Sequence, residues 1–247
     1  KFNNPDTTAP TPWVLSPSSS IPVIFDTGSA NLWVTSSLCK DASCESHISF
    51  NRNKSSTWKH VGLKVEVSFG TGDIAGEINS DTFGLGSIKI DNQKFGEILK
   101  ENGDVFEAGK FSGILGLAYP SMAAYDQTPV FDSIINQKLL QNNIMTFYYS
   151  LNENTDGQVS FGFIDETKYH GKLRYYDVVD KYYWTIMVTD ILYNGKSLGV
   201  CPHGCKAAVD TGTTLNTVPT DLLAALLNKI PVENDCSGYA KAANITY

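Results

Sequence analysis

The stretch Val23-Ile24-Phe25-Asp26-Thr27-Gly28-Ser29 decides the reading of this chain, because it returns as Ala207-Ala208-Val209-Asp210-Thr211-Gly212-Thr213 in the same register. Each copy is an apolar, strand-like run that ends in an aspartate just ahead of a glycine turn. A single Asp-Thr-Gly is explained by a β-turn whose aspartate bonds its own backbone. Two copies, each after a buried strand and each followed by Ser29 or Thr213, point instead to two carboxylates brought to one place. Two such groups held close cannot both ionise freely, so one keeps a proton. The charged partner then acts as base toward a water and the protonated one donates to a carbonyl oxygen. Neither metal, cofactor nor covalent intermediate is needed for that chemistry.

Outward from the two copies, the pattern is β-rich. Residues 21–25 read as a buried strand and 31–34 as its continuation past the glycine turn. Residues 1–20, rich in Pro, Ser, Thr and Asn, carry at most one poor strand, since Pro12 lacks a backbone donor. Residues 39–57 are polar and loop-like. Val65, Val67 and Phe69 alternate on one strand, Gly70-Thr71-Gly72-Asp73 turns it, and 63–84 is a hairpin. A phosphate-binding loop is excluded for these glycines because no helix follows them. Further strands are expected at 87–90, 95–99, 113–117, 145–151, 157–163, 171–178, 182–193 and 206–210, with tight turns at Asp156-Gly157 and Asn194-Gly195. Two helices are expected to pack on the core. One is capped by Thr128 with Pro129 in its first position and carries Val130, Ile134, Ile135 and Leu139. The other spans 219–230 with the stripe Leu222, Leu223, Leu226 and Leu227.

The 247 residues are 42% hydrophobic and 18% charged, a globular composition long enough for one large or two medium domains. A net charge of −7 disfavours a nucleic-acid partner. No apolar run approaches membrane-spanning length. Of the five cysteines, Cys39 with Cys44 and Cys201 with Cys205 read as close disulfide pairs in an oxidising compartment. The rival is a four-thiolate zinc site, for which the spacings are poor. Cys236 has no local partner. His47, His60, His170 and His203 show no ligand spacing and read as solvated loop residues. Asn53-Lys54-Ser55 and Asn244-Ile245-Thr246 are sequons for N-linked glycan, usable on a secretory route.

Longer motifs carry a family resemblance. Ser16-Pro17 followed by residues 23–34, which end in Asn31-Leu32-Trp33-Val34, resembles the first active-site segment of the pepsin-like aspartic endopeptidases. The two small cysteine loops and Gly113-Ile114-Leu115-Gly116-Leu117-Ala118-Tyr119-Pro120 are similar to further landmarks of that family, as is Tyr183-Trp184. The resemblance runs from about residue 16 to 247. It implies an all-β, bilobal fold with a few short helices and pseudo-twofold symmetry, an N-terminal lobe over 1–165 and an incomplete C-terminal lobe over 166–247, meeting somewhere in 152–182.

The same resemblance implies roles. Asp26 and Asp210 are the catalytic pair. Thr27 and Thr211 cross-brace their loops, Ser29 and Thr213 bond the carboxylates, and Gly28 and Gly212 let backbone approach closely. Trp33, Phe69, Gly70, Thr71, Phe111, Ile114 and Tyr183 line a substrate cleft, with 63–84 as a mobile flap. Cys39–Cys44 and Cys201–Cys205 are disulfides. No cofactor and no metal are implied. The expected partners are polypeptide substrates and pepstatin-type inhibitors, with neither nucleic acid nor membrane, for a monomer made as a zymogen and secreted or held in an acidic endolysosomal or vacuolar compartment. The alternative is a peptide-binding, non-catalytic homologue or an inactive fragment. A purely structural β-protein leaves the duplicated Asp-Thr-Gly unexplained.

Three departures from the family pattern set further expectations. Phe69 stands where the family carries a flap tyrosine, which predicts a looser flap. The first strand is poor. The chain also ends well short of what the family carries after its second aspartate, so a segment bracing Asp210 and a partner for Cys236 are expected beyond Tyr247, and the leucine stripe at 222–227 is expected to be partly uncovered.

Overall fold

The computed structural model describes residues 13–16, 19–69, 72–150, 152, 154–228, 230 and 242–247. Its first strands are β1 (Trp13–Ser16), β2 (Ser19–Pro22), β3 (Ile24–Asp26), β4 (Leu32–Thr35), β5 (Lys59–Phe69), β6 (Gly72–Leu85), β7 (Ile88–Asn102) and β8 (Gly113–Gly116). These eight form one sheet in the order β2-β1-β6-β7-β4-β8-β3, with β5 on β6. The later strands are β9 (Met145–Tyr148), β10 (Gln158–Phe161), β11 (Asp180–Lys181), β12 (Trp184–Val188), β13 (Leu192–Tyr193), β14 (Lys196–Ser197), β15 (Cys205–Ala208) and β16 (Ile245–Thr246). They make three small sheets, β10-β9, β11-β12-β15 and β14-β13-β16. The α-helices α1 (Ala42–Glu45), α2 (Asp104–Ala108), α3 (Val130–Asn136) and α4 (Thr220–Leu227) are all short. The all-β expectation is borne out.

The two-residue period of a strand divides the first half into two cores. Along β4, Leu32 and Val34 join one cluster with Phe25, Phe83, Phe95 and Leu115, while Trp33 between them joins another with Val65, Ile74, Ile78, Ile98 and Phe106. Along β8, Leu115 and Ile114 divide in the same way. The first core is organised by edge-on ring contacts, Phe50–Phe95 at 5.1 Å and Phe83–Phe95 at 5.0 Å. A third cluster, around Val188, Leu198, Val200 and Leu226, serves the later strands. Fully buried Glu97, in β7 beside the Trp33 strand, is tolerated because its oxygens accept from Ser36 Oγ at 2.7 Å, Arg52 Nε at 2.9 Å and Asn79 Nδ2 at 2.9 Å.

Several sequence expectations need correction. Where residues 1–20 were expected to carry at most one poor strand, Trp13–Ser16 and Ser19–Pro22 are two paired ones: β1 and β2 are antiparallel, and Val14 of β1 also pairs with Leu85 of β6. Pro12 lies outside the described residues. The run 21–25 is broken at Val23, so β2 ends at Pro22 and β3 begins at Ile24. Residues 87–99 hold one long strand, because the β6–β7 ladder absorbs two register shifts and lets Asn92 take a φ of 53°. The hairpin expected at 63–84 is longer, from Lys59 to Leu85. The polar loop 39–57 contains α1 and a 3₁₀ turn at Arg52–Lys54. Pro129 is the N-cap of α3, and Thr128 does not cap it. Residues 171–178 form no strand. Asn194 and Gly195 have the positive φ of a tight hairpin turn, at 50° and 72°. Asp156-Gly157 does not, and β9 and β10 are joined instead through 149–157.

Both expected disulfides are formed, Cys39–Cys44 and Cys201–Cys205, which removes the zinc alternative. Cys236 lies outside the described residues. His47 is not a solvated residue: it is half-buried, its Nε2 lies 2.7 Å from Gly109 O, and its Nδ1 is buried without a partner. His60, His170 and His203 are exposed, as are Asn53 and Asn244. Leu226 is covered, while Leu223 and Leu227 are exposed. Among the described residues, no helix is long and apolar enough to cross a membrane.

Candidate functional site

β3 and β15 each deliver an apolar run to the start of an Asp-Thr-Gly loop, and the two loops meet by exchanging hydrogen bonds. Thr27 N donates to Thr211 Oγ1 at 3.0 Å, and Thr211 N donates to Thr27 Oγ1 at 2.9 Å. Each hydroxyl then donates across to the strand leading into the opposite loop, Thr27 Oγ1 to Val209 O and Thr211 Oγ1 to Phe25 O, both at 2.7 Å. Four bonds related by an approximate twofold thus join segments 184 residues apart.

The carboxylates are held in matching ways. Asp26 Oδ1 accepts from Gly28 N at 2.8 Å and Oδ2 from Ser29 Oγ at 2.5 Å. Asp210 Oδ1 accepts from Gly212 N at 2.8 Å and Oδ2 from Thr213 Oγ1 at 2.5 Å. The glycines are where the two halves touch. A Cβ on Gly28 would lie 2.5 Å from the Asp210 carboxyl carbon, and one on Gly212 would lie 2.2 Å from Asp26 Oδ1. Absence of a side chain at both positions is therefore what lets each carboxylate rest against the opposite loop.

Burial raises the Asp26 pKa above the ordinary 3.8, the Ser29 hydroxyl and Gly28 amide pull it back, and the negative charge of Asp210 raises it again. The net effect is upward, so the folded chain holds this proton more tightly than the unfolded chain does. The resulting stabilisation is full below pH 3.8 and is lost as pH rises through the higher folded value. Asp26→Asn cannot titrate, so its melting temperature is expected to fall less between acidic and neutral pH than that of the unsubstituted chain. Thermal melts of both across that range check this. Burial, followed by the charge of Asp210, also raises the Tyr149 pKa.

The two loops are unequally supported. β8 runs parallel to β3 with Gly116 opposite Asp26, Leu117 N donates to Asp26 O at 2.7 Å, and Ala118 N donates to Ser29 O at 2.8 Å. Beside Asp210, Val209 N donates to Trp184 O at 3.0 Å, but among the described residues no strand flanks Asp210 as β8 flanks Asp26. Val209 and Leu215 are correspondingly 50% and 77% exposed.

Of the expected cleft residues, Trp33, Phe111 and Ile114 share one cluster with Val65, Val67 and Ile74 of the hairpin. Gly96 lies directly under the Trp33 ring, where a Cβ would come within 1.8 Å of the indole. Phe69 ends β5; its side chain, with Gly70 and Thr71, lies outside what is described. Tyr183 does not join the cluster. It is partly exposed and its ring contacts Tyr182 at 5.3 Å. Its neighbour Trp184 makes a further contact between the two segments: its Nε1 donates to Leu117 O at 2.8 Å and its ring lies 4.6 Å from that of Tyr119. Trp184 opens β12, while Tyr183 lies in the turn that joins β11 to β12. Sequence reading missed Tyr125 as well, whose ring meets Trp33 edge-on at 6.2 Å and whose hydroxyl donates to Glu66 O at 2.8 Å. Nothing in the local pattern of 119–127 signals it. Among the described residues, the one His, Cys, Asp and Glu group compact enough for a metal is Cys39, Asp41 and Cys44, and its two sulfurs are bonded to each other.

The sequence model of the eukaryotic aspartyl protease family matches residues 14–243. Bos taurus pepsin A is 40% identical over 223 residues, which is 90% of this chain and 60% of that protein. Rattus norvegicus cathepsin D is 41% identical over 227 residues, 87% of this chain and 55% of the relative, and Gallus gallus embryonic pepsinogen is 42% identical over 204 residues, 83% and 53%. The chain thus matches between half and three-fifths of the length of these relatives.

Proposed function

This chain belongs to the eukaryotic aspartyl protease family, and from that membership we propose that it is an aspartic endopeptidase whose working groups are Asp26 and Asp210. The observation that carries the reading is the reciprocal Thr27–Thr211 exchange, with each carboxylate lying against the other loop's glycine. A water held between the two carboxylates loses a proton to the charged one as it attacks the peptide carbonyl, whose oxygen accepts from the protonated one. The upward pull on the Asp26 pKa supports a pair that keeps one shared proton, which belongs to the two carboxylates together. Ser29 and Thr213 each hold one oxygen, Oδ2, of their own aspartate.

Substrate is an extended polypeptide with apolar side chains, received by Trp33, Phe69, Phe111 and Ile114, with the Gly70-Thr71 tip closing from the hairpin and Tyr183 contributing from the second half. We assign residues 1–165 and 166–247 to the two lobes. The protein acts as a monomer, is inhibited by pepstatin-type compounds, and works in the secretory route or in an acidic compartment, which its two disulfides favour. Peptide binding without cleavage is the alternative reading. Incubation with a peptide library at acidic pH separates them. Pepstatin-sensitive cuts are expected; capture of peptides with no cleavage at any acidic pH supports the second reading.

A further inference from the structure

Resting on the hydrolase reading above, we propose that Tyr125 is a positioning residue that ties the β5–β6 hairpin to the loop carrying Asp26. Its hydroxyl donates to Glu66 O, which belongs to the outer half of β5, where Glu66 pairs with Ala75 and Phe69 with Gly72 near the turn. Its ring packs edge-on against Trp33 and joins the cluster that holds Val65, Val67 and Ile74, so residues of both hairpin strands belong to the same cluster as this aromatic pair. From Tyr125 the connection to the aspartate is short. Asn31 Nδ2 donates to Ala124 O at 2.9 Å and Ala124 N donates back to Asn31 Oδ1 at 3.1 Å. Asn31 O in turn accepts from Gly116 N at 3.0 Å, beside the pairing of Gly116 with Asp26.

The local backbone is set for this role. Tyr125 and Asp126 have φ of 58° and 53°, a left-handed pair in which neither residue is glycine. An aromatic residue is held in that conformation only where its surroundings fix it. Here they do, through the Asn31 exchange on one side and Lys94 on the other, whose ammonium donates to Asp126 O at 2.9 Å and to the Asp126 carboxylate. The strained turn aims the phenol at the hairpin backbone. The bond goes to a main-chain carbonyl, so it fixes hairpin position whatever the side chain at Glu66 and without help from the aromatic residue at position 69.

Tyr125→Phe keeps the ring on Trp33 and removes the hydroxyl alone. Hydrogen exchange of amides in 63–78 is expected to quicken about threefold to tenfold, the effect of one hydrogen bond. Exchange elsewhere and the melting temperature should hold. With peptide substrate, KM is expected to rise by a similar factor at little-changed kcat, since the hairpin is proposed to close on bound peptide. Unchanged exchange in the hairpin overturns the proposal. So does faster exchange spread over the whole chain with a lowered melting temperature, which marks the hydroxyl as general support. An unsubstituted chain that cleaves nothing refutes the hydrolase reading, while the exchange comparison still decides the tether.

Discussion

Asp26→Asn is expected to lower peptide cleavage at acidic pH roughly a thousandfold or more, within the range that positioned acid and base groups contribute. The substitution is nearly isosteric. An asparagine Oδ1 still accepts from Gly28 N, and Ser29 can reorient its hydroxyl, so the loop keeps its shape. What is lost is the ability to exchange a proton. Asp210→Asn is expected to do the same, and the double variant to be little worse than either, because the pair acts as a unit. The measurement is kcat/KM on one peptide for all four proteins, with melting curves to show retained fold. Activity of either single variant within about tenfold of the unsubstituted chain would remove the dyad from the mechanism.

Thr27→Val and Thr211→Val are expected to destabilise the chain by about 2–4 kcal/mol each, since each leaves two backbone groups of the opposite segment unpaired in a part-buried site. Thr27→Val strands Thr211 N and Val209 O; Thr211→Val strands Thr27 N and Phe25 O. Valine matches threonine in shape, so packing changes little and the loss belongs to the hydroxyl. Activity is expected to fall further than stability, because the same bonds set the spacing of the carboxylates. Since all four bonds close one network between the same two loops, the double variant is expected to cost less than the sum. Urea unfolding of the single and double variants gives that coupling directly, and full additivity would mean the two threonines do not act as one brace.

Much of the site was legible because its parts are local. The aspartate, the threonine and the glycine must be adjacent to make a turn that bonds its own carboxylate, as Gly28 N and Gly212 N do. Duplication then pointed to a pair. The hairpin was legible for the same reason, since alternation and a glycine turn are neighbours in sequence. What misled the reading was non-local. Residues 87–99 looked like two strands until a long partner, β6, carried them through two irregularities as one. The stretch before Ile21 looked poor until β6 and a mutual pairing supplied the hydrogen bonds of β1 and β2. Residues 171–178 alternate like a strand yet pair with nothing among the described residues, because a strand needs a neighbour that its own pattern cannot provide.

The sequence alone therefore determined the fold class and pointed to the chemistry: two Asp-Thr-Gly loops at strand ends, alternating apolar runs, and two close cysteine pairs are written in residues a few positions apart. Only the tertiary structure decided how those parts meet. It showed Thr27 and Thr211 each bonding the other's loop, Gly28 and Gly212 making room for the opposite carboxylate, Trp184 and not Tyr183 reaching across to Leu117, and Tyr125 reaching Glu66. These are contacts between residues 59 to 186 positions apart. Local pattern sets which way a backbone turns, but which distant side chain fills the space beside it depends on how the whole sheet packs.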